Sequence, residues 1–162
     1  AVKHLIDHGH RMIACIGGPA GAPLADERVR GWVTAMAEHG LPTTDLSVRG
    51  AYSRLGGYEA ALELFERKER PSAVFASSDL QGIGVLRACY EKGVKVPEDL
   101  AVFAFDGTSE AAFTAPPLSV VQQDMGRLAE SAVSLVLSEL IAANPVHHTA
   151  PFELVLRRSC GC

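Results

Sequence analysis

Residues 71–79 read Pro-Ser-Ala-Val-Phe-Ala-Ser-Ser-Asp, and the way this stretch begins and ends decides the kind of fold. Residues 72–76 form a short, almost wholly apolar run without polar alternation. A strand of that kind is buried on both faces, as strands of a parallel sheet are. Pro71 closes the helical pattern before it, because proline inside a helix loses a hydrogen bond and clashes with the preceding turn. Asp79 opens a helix over 79–92 and suits its N-cap, and Gly93 stops it.

The same alternation extends in both directions. Residues 12–17 (Met-Ile-Ala-Cys-Ile-Gly) form another buried strand, closed by Gly17 and Gly18. The spacing of Val29, Val33, Met36 and Ala37 predicts a helix over 24–39, ended by Gly40 and Pro42. A weak strand over 46–49 comes next. Then comes a helix over 54–68 with Leu55, Tyr58, Leu62 and Phe65 on one stripe. Further strands are predicted over 100–105, 119–122 and 150–158, and a long apolar helix over 125–143, ended by Asn144 and Pro145. Strands alternating with helices predict an α/β fold with a parallel sheet covered on both faces, three layers in all.

Composition sets limits. A chain of 162 residues is enough for one domain with a real core. A hydrophobic share of 48% with 21% charged residues excludes intrinsic disorder. The net charge of −4 leaves no basic footprint, so these residues are expected to have no affinity for DNA of their own. No run approaches ~20 consecutive apolar residues, so no membrane partner is expected. The chain starts at Ala1 with neither Met nor a signal-peptide pattern, which suits a segment of a longer protein. Cys15, Cys89, Cys160 and Cys162 form no CxxC pair, which suits a reducing compartment. Cys15 and Cys89 are expected as buried free thiols.

In open α/β sheets ligands bind beyond the carboxyl ends of the strands. The residues just after each predicted strand are therefore the candidates: Arg28 in the first turns of the helix after the first strand, Tyr52 after the second, Ser77, Ser78 and Asp79 after the third, Asp106 after the fourth, and Gln123 and Asp124 after the extended piece. An arginine fork, carboxylates, an amide and an aromatic ring suit a neutral polyhydroxylated ligand. Asp79 equally suits the N-cap of its helix, and Arg28 a pairing with Asp26 or Glu27.

Six segments carry a family resemblance: residues 4–14 (HLIDHGHRMIA), 27–32 (ERVRGW), 71–79 (PSAVFASSD), 96–107 (VPEDLAVFAFDG), 116–124 (PPLSVVQQD) and 154–159 (LVLRRS). In this order and spacing the chain resembles the C-terminal part of the effector-binding domain of LacI/GalR-family transcriptional regulators, over essentially its whole length. The resemblance implies a lobe of a type I periplasmic-binding-protein-like domain. Residues 1–122 would be the C-terminal lobe, 123–149 a crossover and one helix of the otherwise missing N-terminal lobe, and 150–162 a return strand and tail. It implies an effector pocket lined by Arg28, Tyr52, Ser78, Asp79, Asp106 and Gln123. A small, carbohydrate-like or nucleoside-like effector is expected, with no cofactor and a cytoplasmic location. Operator DNA would be reached only through an N-terminal headpiece outside this chain. The family pattern usually has Asn at position 78, Asp or Asn at 107 and Ala at 82; Ser78, Gly107 and Gly82 depart from it, leaving room for a larger effector or a water.

The resemblance also implies a homodimer through the helix over 79–92. Val85, Ala88 and Cys89 form one apolar side, for the sheet; Ile83, Leu86 and Tyr90 form another, expected at the interface. The helix over 125–143 is apolar around more than half its circumference, with Leu128, Leu135, Val136, Leu137, Leu140 and Ile141. It belongs by resemblance to the other lobe and is expected here to dock on a second copy, with residues 120–124 as hinge.

Other chemistries are weaker. Gly17, Gly18 and Gly21 lack a Walker lysine. Catalysis would need Asp79 and Asp106 as acid and base, or Cys89 as nucleophile, and no Ser, His and Asp set has a recognisable spacing, so an enzyme is not expected. His4 and His8 stand one helical turn apart without a third ligand, and Cys160 and Cys162 do not complete a tetrahedral site, so a frayed tail and no metal residues are expected. A transport-type periplasmic sugar-binding protein is the alternative function.

Overall fold

The computed structural model describes residues 1–137 and 149–162. Helix α1 (Val2–Asp7) leads into β1 (Ile13–Gly17), followed by α2 (Pro23–Glu38), β2 (Ser47–Arg49), α3 (Arg54–Phe65), β3 (Ala73–Ala76), α4 (Asp79–Lys92), β4 (Ala101–Asp106), β5 (Ser119–Gln123), α5 (Met125–Leu137) and β6 (Phe152–Val155). Short 3-10 turns cover Ser109–Phe113 and Arg158–Cys160. The six strands form one sheet in the order β2-β1-β3-β4-β5-β6. The first five run parallel, and β6 pairs antiparallel with β5, Val120 opposite Val155.

Every central strand is apolar on both sides because both sides are covered. Ala14, Ile16, Val74, Ala76, Val102 and Ala104 point into one core with Ala61, Leu64, Val85 and Cys89 of α3 and α4. Ile13, Cys15, Ala73, Phe75, Ala101 and Phe103 point the other way, onto Leu5, Ile6, Trp32 and Met36 of α1 and α2. Successive residues of a strand face opposite sides, so an unbroken apolar run serves two cores at once. Trp32 completes its burial by donating from Nε1 to the Ile13 carbonyl at 3.0 Å.

Glycine sets the distance between α3 and α4. A Cβ on Gly57 would lie 2.1 Å from the Gln81 carbonyl oxygen, and one on Gly84 2.1 Å from that of Arg54. Only hydrogen fits between two backbones that close.

The structure corrects several expectations. The helix predicted over 54–68 ends at Phe65, and the strand predicted over 150–158 is only Phe152–Val155. The tail does not fray: Ser159 and Cys160 are buried, and Ser159 Oγ donates to the Val102 carbonyl at 2.7 Å while accepting from Ser119 N at 2.8 Å. Leu86 lies in the core of its own chain, 8% exposed, because α4 leans that side toward the sheet, whereas Tyr90 is 79% exposed. No residue of α5 is buried, so this helix is not folded back onto its own sheet. Leu140 and Ile141 lie outside the described residues.

Gly84→Ala is expected to destabilise the fold by about 1–3 kcal/mol, the cost of overpacking a close contact. The decrease is read from urea unfolding followed by the fluorescence of Trp32.

Candidate functional site

The carboxyl ends of β1, β3, β4 and β5 bring most of the sequence candidates together. Arg28, in the second turn of α2, lies over this edge. One guanidinium nitrogen, Nη1, donates to the Ser77 carbonyl, and Nη2 lies 3.3 Å from Asp106 Oδ1. Its flat face stacks 4.1 Å from the centroid of Phe105, with Tyr52 5.5 Å away. Two half-buried charges thus meet between two rings, in a setting where charge-assisted and cation–π contacts are strong. The pairing weighed in the sequence with Asp26 or Glu27 does not form: Asp26 pairs with Arg49 at 2.9 Å, and Glu27 with Arg30.

Tyr52 reaches the edge because Gly18 has no side chain; a Cβ there would sit 2.3 Å from the ring. Asp106 closes β4 with φ +127°, followed by Gly107 at +83°. A non-glycine residue at such φ costs about 1–3 kcal/mol and is held by its surroundings. Gln123 Nε2 lies 3.5 Å from Asp106 Oδ1, so the amide and Arg28 flank the same carboxylate oxygen. A concavity beside this group is lined by Gly107, Gln122, Gln123, Asp124 and Phe152.

Ser78 and Asp79 lie beneath the edge, not on it. Ser78 is the N-cap of α4 and accepts from Gln81 N at 3.2 Å. Asp79 is fully buried, and its Oδ2 accepts from Thr108 N at 2.6 Å and Thr108 Oγ1 at 2.8 Å. Within the chain, Ser78 serves as a cap, and Asp79 holds the turn after β4. The room expected at Gly82 and Gly107 is also filled from within, by Leu118 and Ala104 in one case and Gln122 in the other.

Burial pushes the Asp79 carboxyl above the ordinary range, with the Thr108 donors pulling it back. Asp106 is also raised, first by burial, while Arg28 lowers it and the nearby Asp79 charge raises it. An acid–base pair would need Asp79 open to a substrate, and it is not. The Cys89 thiol, pushed up to about 12 by burial, is no thiolate nucleophile.

Gln81 is the residue that sequence reading missed. Wholly buried, its Nε2 donates to the carbonyls of Gly17 (3.1 Å), Gly50 (3.3 Å) and Ala51 (3.1 Å), tying the ends of β1 and β2 to α4. The available signal was the capping-box spacing from Ser78 to Gln81, in which Ser and a Gln three residues on share a helix start.

A family model described as a periplasmic binding protein-like domain matches residues 2–160. The chain belongs to that family. The HTH-type transcriptional repressor PurR of Pasteurella multocida (strain Pm70) is 35% identical over 163 residues, covering 98% of this chain and 48% of the repressor. The ribose operon repressor of Escherichia coli (strain K12) is 36% identical over 141 residues, covering 86% and 43%. A crystal structure of a sugar-binding LacI-family regulator from Escherichia coli, complexed with phosphate, superposes with a TM-score of 0.88 at 32% identity, covering 98% of this chain and 58% of that one. The chain spans about half the length of the curated relatives it matches. The two curated relatives are named as repressors, not enzymes.

In this periplasmic-binding-protein-like domain, Asp79 gives a pH signature. A folded carboxyl with a raised pKa holds its proton more tightly than the unfolded chain does. The stability it contributes is full below the ordinary carboxylate value and is lost as pH rises through the folded one. Asp79→Asn keeps an acceptor for Thr108 without the buried charge. Its urea midpoints, tracked from about pH 4 to about pH 7, are expected to fall less with rising pH than those of the parent.

Proposed function

We propose that this chain is the effector-sensing and dimerisation portion of a ligand-controlled, DNA-binding transcriptional regulator that answers to a small sugar-like or nucleoside-like effector. The observation that carries the reading is the Arg28 fork between the Ser77 carbonyl and Asp106, walled by Phe105 and Tyr52 at the carboxyl edge of the sheet. Paired donors and acceptors bordered by ring faces suit ligand hydroxyls and the apolar face of a sugar or base. Gln123 stands at the rim, beside the point where the chain leaves the sheet for α5.

In this reading residues 1–122 and 150–162 are one lobe and 123–149 reach into the other. The exposed apolar side chains of α5, among them Val133, Val136 and Leu137, fit a helix whose packing partner is not in this sheet. Effector binding favours one arrangement of the lobes, and the difference in affinity sets the response, typically ~1–3 kcal/mol. A headpiece outside this chain reads the operator. No helix among the described residues is long and apolar enough to cross a membrane. A cytoplasmic location fits a regulator, and relatives named as repressors favour that reading over a transport-type sugar-binding protein. The dimer joins α4 to its symmetry mate, with Tyr90 and Ile83 at the contact and Leu86 beneath them.

A thermal-shift screen of sugars and nucleosides against the full-length protein is expected to find a stabilising ligand. Arg28→Ala and Asp106→Asn, the isosteric neutral amide, are each expected to weaken it about ten- to hundredfold, the worth of a charge-assisted hydrogen bond at about 1.5–3 kcal/mol. Calorimetric affinities unchanged in both would remove the pocket from this edge.

Ile83→Glu and Tyr90→Glu are each expected to turn the full-length dimer into monomers. Sedimentation velocity at micromolar concentration reads the change, and a dimer that survives both places the interface elsewhere.

A further inference from the structure

The sequence holds two half-sites for a metal, neither sufficient alone, and the fold brings them together. His4 and His8 lie one turn apart at α1, and Cys162 ends the tail held down by Ser159. His4 Nε2 is 3.1 Å from Cys162 Sγ, and His8 Nε2 is 3.4 Å from the same sulfur. The three donor atoms lie within 4.8 Å of one another, the one such group among the described residues. His8 Nδ1 is hydrogen-bonded to the His4 carbonyl oxygen at 2.8 Å. That bond fixes the ring as outer-shell partners fix metal-bound histidines, leaving Nε2 for the cluster.

The surroundings hold this arrangement. The His4 ring packs edge-on against Phe103 at 5.6 Å. Buried Cys160 donates from Sγ to Cys162 Sγ at 3.0 Å and is itself held by Ser119 Oγ at 3.1 Å. A tetrahedral zinc with bonds of about 2.0–2.3 Å separates its nitrogen and sulfur ligands by about 3.6 Å, so an opening of a few tenths of an ångström admits the ion. The cluster lies on the α1 and α2 face where β5 begins, away from the pocket at the strands' carboxyl ends.

We propose that His4 Nε2, His8 Nε2 and Cys162 Sγ form a binding site for a divalent, borderline-soft transition ion, zinc by its chemistry. Two imidazoles and one thiolate are a zinc donor set, and zinc carries no redox chemistry to turn against the thiols. The ion replaces the thiol proton, which passes to solvent. The buried Cys160 thiol, 3.0 Å from Cys162 Sγ, stands beside the three donors. The bound ion clasps the tail to the first helix, joining the two ends of the described chain.

The test uses the reduced, metal-stripped full-length protein in a non-thiol reductant, titrated with ZnCl2 and separately with CoCl2. Uptake of one ion is expected, with a thiolate-to-cobalt charge-transfer band and an unfolding midpoint raised by zinc. His4→Ala, His8→Ala and Cys162→Ser are each expected to weaken uptake by about a hundredfold or more, since losing an outer-shell partner alone costs about 10–100-fold. Each should keep the midpoint of the metal-free parent, and His39→Ala, at an exposed histidine elsewhere, should bind as the parent does. No uptake by the reduced protein, or uptake undiminished in Cys162→Ser, overturns the proposal. So does a Cys160–Cys162 disulfide whose reduction restores no binding.

Discussion

The carboxamide of Gln81 reaches three backbone carbonyls, those of Gly17, Gly50 and Ala51, from inside the protein. The Gly17 and Ala51 carbonyls also accept from the loops' own Gly50 N and Ser53 N, at 3.0 and 2.8 Å, so the amide adds a second donor to each and gives one to Gly50, whose buried carbonyl would cost about 1–3 kcal/mol without it. It is presented by α4, which approaches α3 closely only because Gly57 and Gly84 lack side chains. Helix contact, loop ends and pocket edge are therefore one unit. Tyr52 lies over Gly18 because the loops on either side of it are tied to the same amide.

The pocket edge inherits that rigidity. Arg28 is fixed by the Ser77 carbonyl at the end of β3 and by Asp106 at the end of β4, so its guanidinium measures the distance between two strands. Asp79 holds the turn after β4 through Thr108, and that turn sets the unusual backbone of Asp106. In the proposed function, a ligand at Arg28 would meet groups whose positions were settled by folding, which would limit the ordering cost of binding.

The sequence made the strands and the helices of the lobe legible, because apolar runs and capped amphipathic stretches are local signals. Helix α4 was delimited to the residue by Asp79 and Gly93. Tyr52, Asp106 and Gln123 were reachable from their places just after the predicted strands, and Arg28 from the first turns of the helix that follows β1. The direction of Ser78 and Asp79 was not, since capping and ligand contact use the same side chains and only packing chooses between them. The burial of Leu86 within its own chain was hidden for a related reason: an apolar stripe does not say how far a helix leans. His4 and Cys162 are separated by nearly the whole chain, and no local pattern links them. The antiparallel direction of β6 lay equally beyond periodicity, which is the same for either direction.

Strand β5 is bonded to β4 on one side and to β6 on the other, and α5 begins immediately beyond it, where Asp124 N donates to the Pro151 carbonyl at 3.0 Å. A pull applied at Asp124, away from the end of the sheet, runs along the strand and not across it. Ladder bonds on both flanks then bear the load together, in shear, where a peeled edge strand would surrender them singly. The crossing segment is a stiff tie rod, and Gln123, mounted on it beside Asp106, moves only as the rod moves.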